Sequence, residues 1–230
     1  MRNAFLILVG LLAAVGAFAQ GEISFNNRQY TYVVAPVYGP ETGDPSRVIQ
    51  GNTASGYPPG TTEYHQEFAL GGTTGPGAGT NFICQLFAGP LGTPDDELLP
   101  LYPTTTFRTV ATTATLFGFV QQPSSALRVP NVPLGESARI QMRIWEHRGG
   151  QFTTWEDALA YMQSGGGLMI GQSRSFDSLP LSSPLSVTTP LAGLESFNLI
   201  VPEPSVLALT VLAGAALFIR RRLRHRARHP

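Results

Sequence analysis

Glycine and proline are spread through this chain so densely that few stretches are long enough for a helix. The 25 glycines and 19 prolines separate short apolar runs, with abundant threonine among them. Proline interrupts helices and central strands, and glycine supplies the positive backbone φ that tight turns need. Many short strands joined by turns are therefore expected, and the sequence predicts a mainly β fold.

About eight to ten short strands are expected, arranged as an antiparallel β-sandwich. A jelly-roll and an immunoglobulin-like topology both agree with this pattern, and the sequence does not decide between them. Residues 81–88 are apolar on both faces, which indicates a central strand. A tight turn is expected at Asn26-Asn27. The other predicted strands lie at residues 22–26, 30–37, 104–120, 138–147, 168–176, 185–188 and 196–200.

One segment departs from this pattern and predicts a short helix. Thr153 or Thr154 can act as its N-cap, and an acidic residue follows three positions later. Three consecutive glycines at 165–167 end the segment. The apolar residues at helical spacing are Trp155, Ala158, Leu159 and Met162. We expect this helix to cover one edge or one end of the sheet.

The clearest alternation of side chains runs through residues 138–147. Four apolar residues face one way, namely Ala138, Ile140, Met142 and Ile144. On the other face, Trp145, Arg143 and His147 resemble the aromatic and polar surfaces that bind sugars. The alternative is that Trp145 packs under the helix that begins near Trp155.

The first 19 residues have the composition of a secretory signal peptide. Arg2 precedes an apolar stretch, and Ala17-Phe18-Ala19 is a small-x-small cleavage site. We expect the Sec translocon and signal peptidase to act on this segment and to leave Gln20 as the mature N-terminus. The exported β-sandwich domain then spans residues 20–200.

Three features follow one another at the C-terminus. Val201-Pro202-Glu203-Pro204-Ser205 is kept extended by its prolines, and residues 206–219 are uncharged. As a helix, those residues would be about 21 Å long, against roughly 30 Å of hydrocarbon in a bilayer. Six arginines follow in residues 220–230, and Arg220, Arg221 and Arg222 begin them. This basic flank predicts a short C-terminal transmembrane helix with a cytoplasmic, stop-transfer tail.

The order of these three parts resembles the PEP-CTERM sorting signal of Gram-negative bacteria. The resemblance covers only about the last thirty residues. It implies that an exosortase, a membrane-embedded protease, processes the chain near Pro202-Glu203-Pro204, so that attachment to the membrane is transient. It also implies delivery to the cell surface or to an exopolysaccharide matrix. The alternatives are a permanent single-span anchor with a proline-rich stalk, and a basic patch that binds nucleic acid.

Charge within the exported part argues against nucleic acid as its partner. The whole chain has a formal net charge of zero, but residues 20–204 contain eight arginines, no lysine and fifteen acidic residues. Such a domain repels a polyanion. Cys84 is the only cysteine, so the chain cannot form an internal disulfide. We interpret Cys84 as a buried apolar side chain, with a reactive thiol as the alternative.

The sequence contains no spacing that is typical of a catalytic or metal site. HExxH, CxxC and GxSxG are absent, and the glycine-rich stretch 71–80 lacks the lysine of a phosphate-binding loop, which favours a surface loop. Residues 63–67 are interpreted as a solvated polar face, and the alternative is that Glu63, His65 and Glu67, which would share one face of a strand, are metal ligands. The acids Asp95, Asp96 and Glu97 are interpreted as an acidic cluster in a turn, and the alternative is a calcium site. We therefore predict no cofactor, no metal and no enzymatic activity.

The first hypothesis for function is a structural or adhesive protein of the cell surface or of an exopolysaccharide matrix. A carbohydrate-binding module is the second hypothesis. A secreted enzyme that acts on polysaccharide is the third, because a pair of catalytic carboxylates leaves no pattern in a sequence. A cleft with paired acids or a metal would favour the enzyme.

Overall fold

The structure, a computed structural model, describes residues 20–64, 70–75, 77–109, 117–183 and 187–201. These residues form a mainly β fold with one α-helix, as the sequence predicts. The strands are β1 (Gln20–Ile23), β2 (Arg28–Gln29), β3 (Val33–Val34), β4 (Val37–Tyr38), β5 (Phe82–Pro90), β6 (Leu99–Pro100), β7 (Leu127–Pro133), β8 (Ala138–Glu146), β9 (Ile170–Gln172), β10 (Phe176–Asp177) and β11 (Phe197–Asn198). The helix is α1 (Trp155–Gln163), and 3₁₀ turns lie at Gly79–Asn81, Asp95–Glu97 and Arg148–Gly150.

β5 and β8 lie at the centre of the largest sheet. They run antiparallel, from Phe82 opposite Glu146 to Pro90 opposite Ala138. β6 pairs with the edge of β5 that faces away from β8. β8 pairs in turn with two short strands, with β9 at residues 143–145 and with β10 at residues 139–140. Both predicted strands of the central pair are confirmed to within two residues. The strand predicted at residues 168–176 corresponds to β9 and β10.

The remaining described strands form three pairs. β1 and β7 are antiparallel, with Ile23 opposite Leu127. β2 and β3 form a hairpin, whereas β4 and β11 run parallel, with Phe197 opposite Val37. The strand predicted at residues 196–200 is confirmed as β11. Its parallel pairing differs from the purely antiparallel arrangement that the sequence predicts.

Two apolar cores lie on opposite faces of the central sheet. The larger contains Ala138, Ile140, Met142 and Ile144 of β8 together with side chains from β1, β4, β7 and β11. The smaller contains Trp145, Phe87 and Phe152, and it lies between the sheet and Trp155 of α1. Successive side chains of a strand point to opposite faces, which explains the alternation along β8. Described residues therefore cover apolar side chains on both faces of the central sheet.

The predicted helix is confirmed, but its position differs from the expectation. Thr154 is the N-cap, and its hydroxyl accepts a hydrogen bond from the backbone N–H of Asp157 at 3.2 Å. Gly165, with a φ of 91°, follows its C-terminus. Trp155 packs on Trp145, which lies on the face of β8 that borders the smaller core. The helix therefore covers a face of the central sheet instead of an edge or an end.

Two predictions near the N-terminus are wrong. Residues 30–32 form the turn of the β2–β3 hairpin instead of a strand, and Thr31 adopts a φ of 76° there. The turn expected at Asn26-Asn27 does not join two paired strands, because β1 pairs with β7. Aromatic and β-branched residues favour strands on average, but this composition does not show where a hairpin turns.

The structure contains one strand that the sequence does not predict. β7 is absent from the prediction because Pro130 and Pro133 interrupt its apolar pattern.

The glycine-rich stretch 71–80 is not a simple surface loop, because part of it is buried. Gly79 is buried, and a β-carbon there would lie 2.8 Å from the carbonyl oxygen of Phe107. Glycine is therefore required at this position for close backbone packing.

Several predictions concern segments that lie wholly or partly outside the described residues. They include the signal peptide at 1–19, the transmembrane helix at 206–219, the basic tail at 220–230, and parts of residues 63–67, 104–120 and 185–188. Within the described part of the chain, no helix is long and apolar enough to cross a membrane.

Candidate functional site

Trp145 is fully buried beneath α1. Its ring lies edge to face with that of Trp155, with 6.2 Å between the ring centroids. Its indole N–H donates a hydrogen bond to the carbonyl of Phe152 at 3.0 Å. A ring with 0% exposure cannot stack on a sugar, so the predicted glycan contact at Trp145 is wrong. The alternative, that Trp145 packs under the helix, is confirmed.

Arg143 is buried as well, on the same face of β8. Its guanidinium carbon lies 4.0 Å from the ring centroid of Phe87 and 5.5 Å from that of Trp155. The guanidinium donates to the side-chain oxygen of Gln141 at 2.7 Å and to the backbone carbonyl of Asp95. Burial lowers the pKa of Arg143. This side chain therefore ties the Asp95 turn to the sheet and is not presented to a ligand.

His147 closes a tight loop at the end of β8. Its Nδ1 accepts a hydrogen bond from the N–H of Gly150 at 2.8 Å. In the neutral ring the proton is then on Nε2, which donates to the carbonyl of Thr80 at 2.6 Å. Both ring nitrogens are used within the protein. The structure therefore does not bring Trp145, Arg143 and His147 together as an exposed surface for sugar.

The acids Asp95, Asp96 and Glu97 form a 3₁₀ turn. Asp95 pairs with Arg139 at 3.2 Å. The nearby hydroxyl of Ser175 and the guanidinium of Arg139 lower the pKa of Asp95. Among the described residues, no group of three or more His, Cys, Asp or Glu side chains is placed to hold a metal ion. The contacts of Asp95 with Arg139 and Arg143 tie this turn to β8 of the central sheet.

Cys84 lies in the larger core and is fully buried. Burial raises the pKa of its thiol well above the usual value, because the thiolate would lose its hydration. The thiol is therefore held neutral. The prediction that Cys84 is a buried apolar side chain is confirmed.

Of residues 63–67, only the first two are described, and Tyr64 is used within the fold. Its ring stacks on that of Tyr38, with 4.0 Å between the ring centroids. Its hydroxyl donates to the carbonyl of Gly51 at 3.0 Å. Burial raises the pKa of Tyr64. Of the three possible metal ligands in this segment, His65 and Glu67 lie outside the described residues.

Most residues of the predicted sorting and cleavage signals lie outside the described part of the chain. They are Ala17, Ala19, Pro202, Glu203, Pro204, Ser205, Arg220, Arg221 and Arg222. Val201 is described, and its N–H donates to the carbonyl of Pro45 at 2.8 Å. The preceding residue, Ile200, exchanges two backbone hydrogen bonds with Ile170, at 2.7 and 3.1 Å.

An apolar groove of about 290 Å³ lies between α1 and the strands β9 and β11. Its main apolar residues are Trp155, Leu159, Met162, Ile170 and Ile200. Two of the three polar side chains at its rim already have partners. The amide of Gln50 donates to the carbonyl of Gln172 at 3.0 Å, and Asn198 bonds to the backbone of Arg47 and Ile49. The groove is therefore mainly apolar, whereas a small-molecule site usually has several polar groups that orient its ligand.

A second, more open cleft lies beside β1 and β7, and we name it the Tyr102 cleft. It encloses about 510 Å³ and is lined by residues that include Glu22, Leu101, Tyr102, Ser125, Arg128 and Pro130. Tyr102 is 68% exposed. The Nε of Arg128 lies 3.4 Å from a carboxylate oxygen of Glu22. The cleft thus combines an exposed aromatic ring with two opposite charges.

Sequence reasoning missed the Tyr102 cleft. Glu22 and Arg128 are 106 positions apart and meet only because β1 pairs with β7. Since β7 is not predicted from the sequence, this pairing cannot be predicted either. The only available signal is that Leu101-Tyr102-Pro103 lies outside the predicted strands, where an exposed aromatic residue is unexpected.

Comparison of the chain with protein-family models, with curated proteins and with solved structures gives no match. Function is therefore inferred from the sequence features and from the geometry of the described residues.

Proposed function

We propose that this chain is an exported protein of the cell surface or of an exopolysaccharide matrix, with a structural or adhesive role and no catalysis. In this proposal the Sec translocon and signal peptidase act on residues 1–19. An exosortase-type protease then processes the PEP-CTERM-like signal at Pro202-Glu203-Pro204. Residues 206–219 are a transient membrane helix, and the basic tail 220–230 stays in the cytoplasm.

The observation that carries this proposal is that the residues at both borders of the proposed exported domain belong to its β structure. Gln20, the residue that follows the predicted signal cleavage site, is part of β1 and lies opposite Pro133 of β7. At the other end, Ile200 pairs with Ile170, and the N–H of Val201 donates to the carbonyl of Pro45. A domain of residues 20–201 therefore keeps these pairings after processing at the two proposed points.

We also propose that the exported domain is an antiparallel β-sandwich of jelly-roll or immunoglobulin-like type, with β4 and β11 as a local parallel pair. The support is the larger core, in which Cys84 and Ile144 of the central sheet share one apolar cluster with Ile23 and Leu127 of the β1–β7 pair. Two layers with a shared core can remain folded without a disulfide. Such a domain suits an extracellular structural role.

Export is tested by fractionation of the bacterium that encodes the protein, together with protease treatment of intact cells. The wild-type chain is expected outside the cytoplasm. A chain that lacks residues 1–19 serves as the control and is expected in the cytoplasm, because no signal then directs it to the translocon. Recovery of the wild-type chain in the cytoplasmic fraction would contradict the proposal.

A further inference from the structure

Tyr102 is held facing outward by a segment that is anchored on both sides of it. Leu101 is buried, and its N–H donates to the carbonyl of Leu86 at 2.8 Å. Thr105 exchanges two backbone hydrogen bonds with Cys84, at 2.7 and 2.9 Å. The chain between these residues is therefore fixed to β5, while the ring of Tyr102 stays exposed. Because the backbone is anchored and a tyrosine side chain has only two torsion angles, the ring loses little conformational freedom when a ligand stacks on it.

Glu22 and Arg128 place opposite charges in the same cleft. They are directly opposite each other in the β1–β7 pair. The side chain of Glu22 is 11% exposed and that of Arg128 is 72% exposed, so the carboxylate is the more firmly placed of the two. A carboxylate accepts hydrogen bonds, whereas a guanidinium donates several in one plane. Together they offer both kinds of hydrogen bond with no net charge.

These features favour an uncharged ligand that carries many hydroxyl groups. An anion would meet Glu22 in a domain that already has an excess of acids, and a cation would meet Arg128. Neutral hydroxyls can donate to the carboxylate and accept from the guanidinium. The apolar face of a sugar ring also suits stacking on Tyr102. We propose that the Tyr102 cleft binds a neutral polysaccharide.

This inference rests on the proposed function for its biological setting, and it adds the ligand class and the site of the adhesive role. Binding itself is independent of sorting, because it is measured with purified protein. If export fails, the binding result still stands. If binding fails, export and processing are unaffected.

The test uses the purified full-length chain in a mild detergent. The probes are immobilised dextran, galactan and mannan, the neutral exopolysaccharide fraction of the host, and alginate as an anionic polysaccharide. We expect binding to at least one neutral probe, with little dependence on salt. Tyr102→Ala is expected to weaken this binding by about tenfold, the effect of losing one good stacking contact.

Two further variants locate the site. Arg128→Gln changes an exposed side chain and is expected to weaken binding several-fold while the fold is kept. Tyr30→Ala is the matched control, because Tyr30 is also 68% exposed but does not line the Tyr102 cleft. Its binding should equal that of the wild type. The proposal is overturned if no neutral probe binds, if only alginate binds, or if Tyr30→Ala loses as much affinity as Tyr102→Ala.

Discussion

The rings of Trp145 and Trp155 meet edge to face, with 6.2 Å between their centroids and 68° between their planes. This contact joins the first turn of α1 to the face of β8 that borders the smaller core. Both rings are buried, and they are the only two tryptophans in the chain. The attachment of the helix to the sheet therefore depends strongly on this pair.

Trp155→Ala is expected to lower the free energy of unfolding by about 3–5 kcal/mol, because it leaves a large cavity under the helix. Urea unfolding, monitored by far-UV circular dichroism, measures the loss of unfolding free energy. Glu156→Ala, an exposed change at the next position of α1, is the control and should cost less than about 1 kcal/mol. Equal stability of the two variants would show that the helix is not anchored through Trp155.

Asn27 makes three hydrogen bonds to the backbone through one buried side-chain amide. Its Nδ2 donates to the carbonyls of Ala35 and Gly118 at 2.8 and 3.0 Å, and its Oδ1 accepts from the N–H of Val120 at 2.9 Å. Asn27→Ala should lower the free energy of unfolding by about 3 kcal/mol, since it leaves buried polar groups unpaired.

The neighbouring residue provides a matched control for this prediction. Asn26 is only partly buried, and its side-chain amide donates to Gln122 at an exposed position. Asn26→Ala should cost about 1 kcal/mol or less in urea unfolding. If Asn27→Ala is as stable as Asn26→Ala, the buried amide does not stabilise the fold in the way described.

Gly118 combines a positive φ with close packing. Its φ is 79°, and a β-carbon there would lie 2.7 Å from the β-carbon of Pro36. Gly118→Ala should therefore cost about 2–4 kcal/mol, from both backbone strain and the clash. Gly92 has a similar φ of 82° but nothing within 4 Å of the added carbon. Gly92→Ala should cost only about 1–2 kcal/mol, from the backbone alone, and thermal unfolding of the two variants separates the contributions.

The buried thiol of Cys84 predicts a pH effect on stability. Its pKa is raised in the folded chain, so the unfolded chain binds fewer protons above the ordinary thiol pKa of about 8.5. The free energy of unfolding contributed by this group is then intact below that pH and falls as the pH rises through and above it.

Alkylation with iodoacetamide at pH 9 tests the same burial directly. We expect slow labelling of the native chain and fast labelling of the chain in urea, where the thiol is exposed and largely ionised. Rapid labelling of the native chain at pH 9 would mean that Cys84 is accessible.

Local patterns in the sequence predict the elements whose apolar residues keep the spacing of a strand or of a helix along the whole element. The alternation at Ala138 and Ile140 locates β8, and Thr154 with the stripe from Trp155 locates α1. What these patterns do not contain is the identity of the partner on each face. From the sequence alone, Trp145 is compatible with a place on an exposed sugar-binding surface. The structure places it beneath the helix.

The elements that sequence reasoning missed depend on contacts between distant residues. β7 contains Pro130 and Pro133, and Asn131 within it adopts a φ of 60°, so its pattern does not resemble a strand. Only pairing with β1 shows that it is one. The same pairing creates the Tyr102 cleft by joining Glu22 to Arg128, which explains why the cleft could not be predicted.

The prolines of the Pro-Glu-Pro segment are expected to be required for removal of the basic tail. The double variant Pro202→Ala, Pro204→Ala should keep the basic tail attached, because the segment would lose the extended form that its prolines favour. Pro94→Ala, which changes an exposed proline in a distant turn, should be processed like the wild type. Comparison of the two by immunoblot, with an epitope inserted after Arg222, separates recognition of the motif from a general effect of losing proline.

If the sorting signal is processed as proposed, the working protein is the exported domain without its C-terminal tail. The decisive measurement is the intact mass of the wild-type protein recovered from the cell surface or the medium. We expect a chain that begins at Gln20 and lacks residues 220–230. A surface form whose mass still includes Arg220 to Pro230 would contradict it and would favour a permanent membrane anchor.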